Sequence, residues 1–264
     1  MRDNFETIQL DRKGDHLLVV TLNRPKAGNS MNTLMGEELR ELWGGLYCEQ
    51  EDIRCAVLTG SGDRIFCAGA DLKERNGMTD AQWMAQHALF EQMIMAEMDC
   101  PVPIIAAING AAYAGGFEMT LGCDFVYAAN HARFALTEVT LGIMPGACGT
   151  QNLPRAVGLR RAKEIILTGT PISAEEAYEY GIVNKLCEGV SLLDEALTTA
   201  QRICDNAPIS IRQAKKSMNM SQNVDLKSGY MFELEAYNRM VTTKDRVEGI
   251  LAFNEKRKAN FQGR

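Results

Sequence analysis

Residues 111–149 read AAYAGGFEMTLGCDFVYAANHARFALTEVTLGIMPGACG, and no other stretch restricts the fold of this chain as tightly. An apolar run from Pro103 to Ile108 leads to a glycine pair, Gly115-Gly116, which opens a segment with helical spacing, Phe117 to Leu121. The N–H groups at a glycine-rich helix N-terminus are free to donate to developing negative charge. Glu118 lies three residues after Gly115, one helical turn on and on the same side, and a carboxylate there suits proton transfer. Further along, Glu138 follows a short strand-like piece, Arg133 to Leu136, and precedes a second glycine-rich turn, Gly142 to Gly149. One reading is two carboxylates beside an anion-stabilising hole. The other is a turn, a helix and two surface glutamates, and spacing does not choose between them.

Upstream, residues 7–10 and 16–22 are β-branched and apolar around Lys13-Gly14-Asp15, which predicts a hairpin. The basic turn Asn23-Arg24-Pro25-Lys26 fits either an anion contact at a strand end or a solvated turn. Asn32 is placed to cap a helix bearing Leu34, Leu39, Leu42 and Leu46. Cys55 to Thr59 is a short buried strand. In Phe66 to Glu74, FCAGADLKE, the small residues Gly69-Ala70 let a ligand approach the backbone, and Asp71 starts a helix. Residues 75–80 are polar and read as mobile; 81–98 are helical and rich in Met and aromatic residues. Strand, turn and helix thus recur from residue 16 to about 135, which predicts stacked β-β-α turns within an α/β fold. From Leu159 the chain reads as helical, with one last strand at Val183 to Leu186. Helix starts are marked by Ser173 with Glu176, Ser191 with Asp194, and Pro208. The division expected is a core over 1–190 and an all-helical region over 191–264.

Composition narrows the function classes. Hydrophobic content of 46% and charged content of 23% are those of a soluble globular protein. No apolar run reaches the roughly 18–20 residues that span a membrane, and the N-terminus, MRDNFETIQLDRKGD, has no signal-peptide apolar core. Eight cysteines never form Cys-x-x-Cys, so free thiols in a reducing cytoplasm are expected. Three scattered histidines (16, 87, 131) show no zinc spacing. A net charge of −6 disfavours nucleic-acid binding by the surface as a whole.

Taken together, the motifs resemble those of the enoyl-CoA hydratase/isomerase (crotonase) superfamily. The resemblance covers nearly the whole chain: Asn23-Arg24-Pro25, Phe66 to Lys73, Pro101 to Gly110, Gly115 to Glu118, Cys123-Asp124, Glu138, Gly142 to Gln151, Leu167 to Gly169, Ala174 to Gly181, and Ala252 to Lys256. It implies a crotonase-like stacked β-β-α superhelix with a helical C-terminal oligomerisation region, and a homotrimer or a hexamer built as a dimer of trimers. It implies that the N–H groups of Ala70 and Gly115 form an oxyanion hole around an acyl-CoA thioester, and that Glu118 and Glu138 are the two catalytic glutamates of the hydratases. Lys26 and Lys73 lie where the family contacts coenzyme A, and Ala68, Asp71 and Leu72 join them as substrate or CoA contacts. Gly146 matches a glycine packed against the catalytic centre. Phe253 and Lys256 match residues that reach a neighbouring subunit's CoA site. No metal or redox cofactor is implied, since coenzyme A arrives as part of the substrate.

Both glutamates together favour hydration over isomerisation. Within the hydratases, FCAGADLKE and TKDRVEGILAFNEKR (243–257) look most like 3-methylglutaconyl-CoA hydratase, with short-chain and cyclic-enoyl-CoA hydratases as alternatives. That branch includes an RNA-binding relative with a lysine-rich helix. Here Gly36 to Arg54 holds six acidic residues (Glu37, Glu38, Glu41, Glu49, Glu51, Asp52) against Arg40 and Arg54, which opposes phosphate binding. Three departures from the family pattern bear on the pocket: Ala114 in place of a third glycine, Leu136 in place of a polar residue, and Cys148 within a glycine run. The acyl pocket is expected to draw on residues 75–98, Phe117, Leu136 and Met144.

Overall fold

The computed structural model describes residues 4–49 and 52–264. Met1 to Asp3, at the head of the charged N-terminus, and Glu51, in the acidic stretch, lie outside the described residues, as does Gln50.

The hairpin expected at the start is present: β1 (Ile8–Lys13) runs antiparallel to β2 (Leu17–Leu22). After a 3-10 turn at Pro25–Ala27, α1 (Thr33–Cys48) starts at Asn32, whose side chain accepts from the Met35 N–H. Next come β3 (Cys55–Gly60), β4 (Ile65–Cys67), the single-turn α2 (Leu72–Arg75) and the long α3 (Asp80–Asp99). The pattern repeats with β5 (Ile104–Ile108), β6 (Ala111–Tyr113) and α4 (Gly115–Gly122). A third round brings β7 (Phe125–Ala129), β8 (Arg133–Ala135), a 3-10 turn at Glu138–Leu141, α5 (Gly149–Val157) and α6 (Leu159–Thr168). In each round the first strand joins one sheet and the second strand the other.

The larger sheet has the order β1-β2-β3-β5-β7-β10, with β10 at Lys185–Cys187, and is parallel from β2 onward. The smaller has the order β4-β6-β8-β9, where β9 (Ile172–Ser173) is antiparallel to β8. All six residues of β3 are buried, as a parallel strand covered on both faces requires. Side chains alternate between the two faces. Leu18, Val20, Ala56 and Leu58 point inward to α1, α3 and the smaller sheet, joining Trp43, Phe66, Phe117 and Phe134. Leu17, Val19, Cys55 and Val57 point outward to α8 (Leu192–Cys204), where Leu192, Ala196, Ala200 and Cys204 cover them. A change of class at residue 190 therefore falls just before a helix that closes the larger sheet.

Between β9 and β10, α7 (Ala174–Glu179) starts with the Ser173–Glu176 capping box expected from sequence. Ser191, by contrast, precedes α8 without a side-chain cap. Helix α5 is a segment that the pattern did not suggest: it opens at a glycine and carries Pro154, so neither end nor middle looks helical. The last three helices are α9 (Pro208–Ser221), α10 (Leu226–Val241) and α11 (Lys244–Glu255). Lys215 ties α9 to the core, donating to Asp124 Oδ2 at 2.7 Å and to the Val102 carbonyl at 3.0 Å. The chain end folds back on α11, where the Asp245 carboxylate accepts from the N–H groups of Gln262 and Gly263. Large apolar side chains of α10 and α11 remain uncovered, among them Leu226 (91% exposed), Tyr230, Met231, Tyr237, Ile250 and Phe253 (83% exposed). The acidic stretch is less uniform than its sequence: Glu38 turns inward, is 2% exposed, and accepts from the N–H groups of Glu6 and Thr7.

Candidate active site

Strands β4, β6 and β8 are parallel neighbours, so their C-terminal ends lie along one edge of the smaller sheet. Just past β4 comes Ala70, just past β6 comes Gly115, and just past β8 comes Glu138. Met31 pairs with the first of these turns. Its N–H donates to the Gly69 carbonyl and its carbonyl accepts from Asp71, both at 2.8 Å. In this parallel bridge the N–H of Ala70 points away from Met31, and no described group accepts from it. Gly115 is the first residue of α4, so its N–H has no helical acceptor, and none is supplied by any other described residue. The two turns touch: a Cβ placed on Gly69 would lie 3.4 Å from the Gly115 nitrogen. Two free donors therefore face a shared cavity of about 470 Å³ that Ala70 and Gly115 both line.

Close approach dictates the sequence here. A Cβ on Gly116 would sit 2.4 Å from the Cys67 carbonyl oxygen, so no larger residue lets α4 start against β4. Ala114 has φ 49° and ψ −125°, a backbone region that favours glycine, which explains in physical terms why a third glycine is the expected residue there. Cys148 is likewise left-handed, with φ 69°.

One turn into α4, the Glu118 carboxyl enters the same cavity and is 3% exposed. Its Oε1 accepts from the N–H groups of Ala147 at 2.8 Å and Gly149 at 2.9 Å. Burial raises its pKa, and the N–H groups of Gly149, Ala147 and Gly146 offset part of that rise. Glu138 opens the 3-10 turn and is 6% exposed, yet neither of its carboxyl oxygens has a hydrogen-bond partner. Burial pushes this carboxyl up to about 7; its own N–H pulls the other way, and the charge of Glu118 adds to the rise. The two acids thus differ in kind. Glu118 is oriented by backbone donors, whereas the carboxyl oxygens of Glu138 are buried beside the cavity with no hydrogen-bond partner among the described residues.

The remaining expected site residues divide. Ala68, Leu72 and Gly146 line the cavity together with Ala70, Gly115, Glu118 and Glu138. Gly146 packs on His87, whose ring a Cβ would meet at 2.4 Å. Asp71 does not line it: it caps α2 through the N–H groups of Lys73 and Glu74 and pairs with Arg24 at 2.9 Å. Lys73 is exposed on α2, between two lining residues. Lys26 is exposed on the 3-10 turn that Gly28 ties to the rim by accepting from Ala68. Phe253 and Lys256 lie on the surface at the end of α11 and line none of the cavity.

The cavity walls depart from the sequence expectation. Phe117 and Leu136 are fully buried in the core, Phe117 against the Phe134 ring at 5.3 Å. The reason is angular: successive helical residues point about 100° apart, so Glu118 can face the cavity only if Phe117 does not. Met144 does line it, and residues 75–98 contribute Arg75, Trp83, His87, Phe90 and Met93. Leu141 and Ile143 had no signal beyond being apolar next to a glycine-rich turn.

The enoyl-CoA hydratase/isomerase family model matches residues 12–264. The (E)-benzylidenesuccinyl-CoA hydratase of Thauera aromatica is 39% identical over 94% of this chain and 96% of that protein. The short-chain-enoyl-CoA hydratase of Clostridium acetobutylicum is 37% identical over 96% and 97%. The crystal structure of an enoyl-CoA hydratase from Bacillus anthracis superposes with a TM-score of 0.96 at 42% identity, covering 98% of this chain and all of the other. With that fold, that edge of strand ends and those relatives, the chain belongs to the enoyl-CoA hydratase/isomerase (crotonase) family, in its hydratase branch.

Proposed function

We propose that this protein adds water across the α,β double bond of an enoyl-CoA thioester. The observation that carries the reading is the pair of buried carboxyl groups, one held by backbone donors and one unpartnered, in the cavity that two free backbone N–H groups also line. In this mechanism the thioester carbonyl sits between the N–H groups of Ala70 and Gly115, which take up the negative charge that collects on its oxygen as water adds to the β-carbon. A donor so placed typically contributes roughly 3–4 kcal/mol to the transition state. Glu118 and Glu138 hold one water between them. One group, entering as the carboxylate, accepts its proton as oxygen attacks the β-carbon, and the other, entering protonated, delivers its proton to the α-carbon, so the pair ends with the charge it began with. The reaction uses no cofactor beyond the coenzyme A of the substrate.

Lys26 and Lys73 contact the CoA moiety at the rim. The uncovered apolar face of α10 and α11 packs in a trimer, single or paired, in which Phe253 and Lys256 complete a neighbour's CoA site. The eight cysteines are all free, which suits the reducing cytoplasm. Among the described residues no helix is long and apolar enough to cross a membrane. The test is turnover of crotonyl-CoA by the purified protein and by Glu118→Gln. The variant should bind acyl-CoA normally and lose roughly 10²–10⁴ in rate; near wild-type turnover would remove Glu118 from the mechanism.

A further inference from the structure

One residue of the acyl cavity has no role in that chemistry. Arg75, the last residue of α2, is 8% exposed and lines the cavity alongside Leu72, Phe90 and Met93. Its guanidinium stacks over the Trp83 ring at 4.2 Å and near Phe90 at 5.6 Å. Only Nε is engaged, donating to Gln86 Oε1 at 2.8 Å; no described group accepts from the two terminal nitrogens, and no described carboxylate pairs with them. The neighbouring acid, Glu74, is committed elsewhere, since its Oε2 accepts from the Thr33 N–H and from Gln86 Nε2. Gln86 is in turn fixed by donating to Thr33 Oγ1, so the guanidinium is held from behind and its fork is left open.

Other arginines of the chain direct their terminal nitrogens to a fixed acceptor: Arg24 to Asp71, Arg257 to Glu248, and Arg54 to the carbonyls of Cys204 and Phe261. A largely buried guanidinium whose two terminal nitrogens lack acceptors costs free energy that an apolar wall would not. Burial lowers the Arg75 pKa, but guanidinium stays charged under any working condition. A plain hydrocarbon chain gains nothing from it. A carboxylate matches it: two oxygens in one plane accept from the two terminal nitrogens together.

We propose that Arg75 is the specificity-determining residue of the acyl cavity and selects acyl-CoA substrates whose acyl chain ends in a carboxylate. This rests on the reading of the cavity as an acyl-CoA site, and the experiment separates it from the hydration chemistry. Equilibrium binding is measured by calorimetry for succinyl-, glutaryl- and adipyl-CoA against butyryl-, pentanoyl- and hexanoyl-CoA, none of which can be hydrated. The variants are Arg75→Met, Arg75→Gln and Arg75→Lys, and the readout is the affinity ratio within each pair of equal chain length. The wild type should prefer at least one dicarboxylic member by roughly tenfold or more. Arg75→Met and Arg75→Gln should abolish that preference, and Arg75→Lys, which keeps the charge, should retain part of it. Equal wild-type affinity for every pair would overturn the proposal. So would an equal loss for both members of each pair, because a contact with the CoA phosphates or a purely structural wall gives that result. Arg75-dependent discrimination in a protein that hydrates no enoyl-CoA would uphold this assignment and defeat the hydratase reading instead.

Discussion

Glu138 costs the protein stability at the pH where it works, and the amount can be worked out. Its carboxyl titrates at about 7 in the folded chain against an ordinary value of 4.5. Because the folded value is the higher one, the folded protein keeps a proton that the unfolded chain has already released. The associated stability is complete below about 4.5 and is lost as pH climbs through about 7. Each tenfold step in proton affinity is worth about 1.4 kcal/mol, so the full gap is about 3–4 kcal/mol, and access of solvent to the cavity trims it to about 2–3 kcal/mol. Glu138→Gln removes the ionisation while keeping size and leaving a similarly unpartnered polar head. Glu118, also raised, is present in both proteins and cancels to first order. The variant should therefore match wild type at pH 5 to within about 1 kcal/mol and exceed it at pH 8 by roughly 4–12 °C in Tm, at ~2–4 °C per kcal/mol for a chain of this size. Thermal melts at fixed protein concentration from pH 5 to 8 measure this. A difference between variant and wild type that stays flat over that range would refute the argument, for then the carboxyl does not titrate near neutrality.

Three other outcomes follow from the geometry. Gly149→Ala places a Cβ 2.8 Å from Glu118 Oε1 and should displace that carboxyl, lowering crotonyl-CoA turnover by about 10–100-fold with little change in Tm; unchanged kcat would mean the loop yields instead. Ala114→Gly relieves a backbone at φ 49° and should raise stability by about 1 kcal/mol in a urea titration, and a net loss would show that the alanine methyl contributes more than its backbone costs. Met231→Glu with Tyr237→Glu puts charge on the uncovered face of α10 and should reduce the mass seen by light scattering; an unchanged mass would place the subunit contact elsewhere.

What the sequence disclosed depended on whether the determinant was local. The Asn32 cap, the Ser173–Glu176 box and the hairpin are set by residues a few positions apart, and each forms as expected. The glycine pair and Glu118 were legible for the same reason, since one helical turn relates them. Nothing local marks Glu138 as buried without a partner, because that depends on how the third round of the superhelix stacks on the second. Arg75 was hidden similarly. In sequence it is one charge in a polar stretch, and only the packing of α3 brings Trp83 and Phe90 over its face. Helix α5 was missed because Gly149 and Pro154 both argue against a helix. Gly149 is there for Glu118, since any side chain at that position would meet the carboxyl.

The strand register is what makes these parts one site. Ile65 pairs with Ala111 in β4 and β6, and Tyr113 pairs with Ala135 in β6 and β8. The Ala114 N–H donates to the Ala135 carbonyl at 2.8 Å, which carries the pairing one residue past the strand ends. Counting onward from those fixed points, Gly115 is two residues past Tyr113 and Glu138 is three past Ala135. The placement of Glu138 relative to Gly115 is thus set by backbone pairing, and three consecutive rounds of the fold each contribute to the cavity wall. A slip of one residue in β8 would turn its side chains to the opposite face and carry Glu138 out of the cavity while leaving Ala70 and Gly115 in place. The smaller sheet resists that slip because Phe134 is fully buried in the core, and the exchange would bring Arg133 inward in its place. The aromatic that locks the register is the one that Phe117 packs against, so the residue beside Glu118 in α4 also fixes where Glu138 stands.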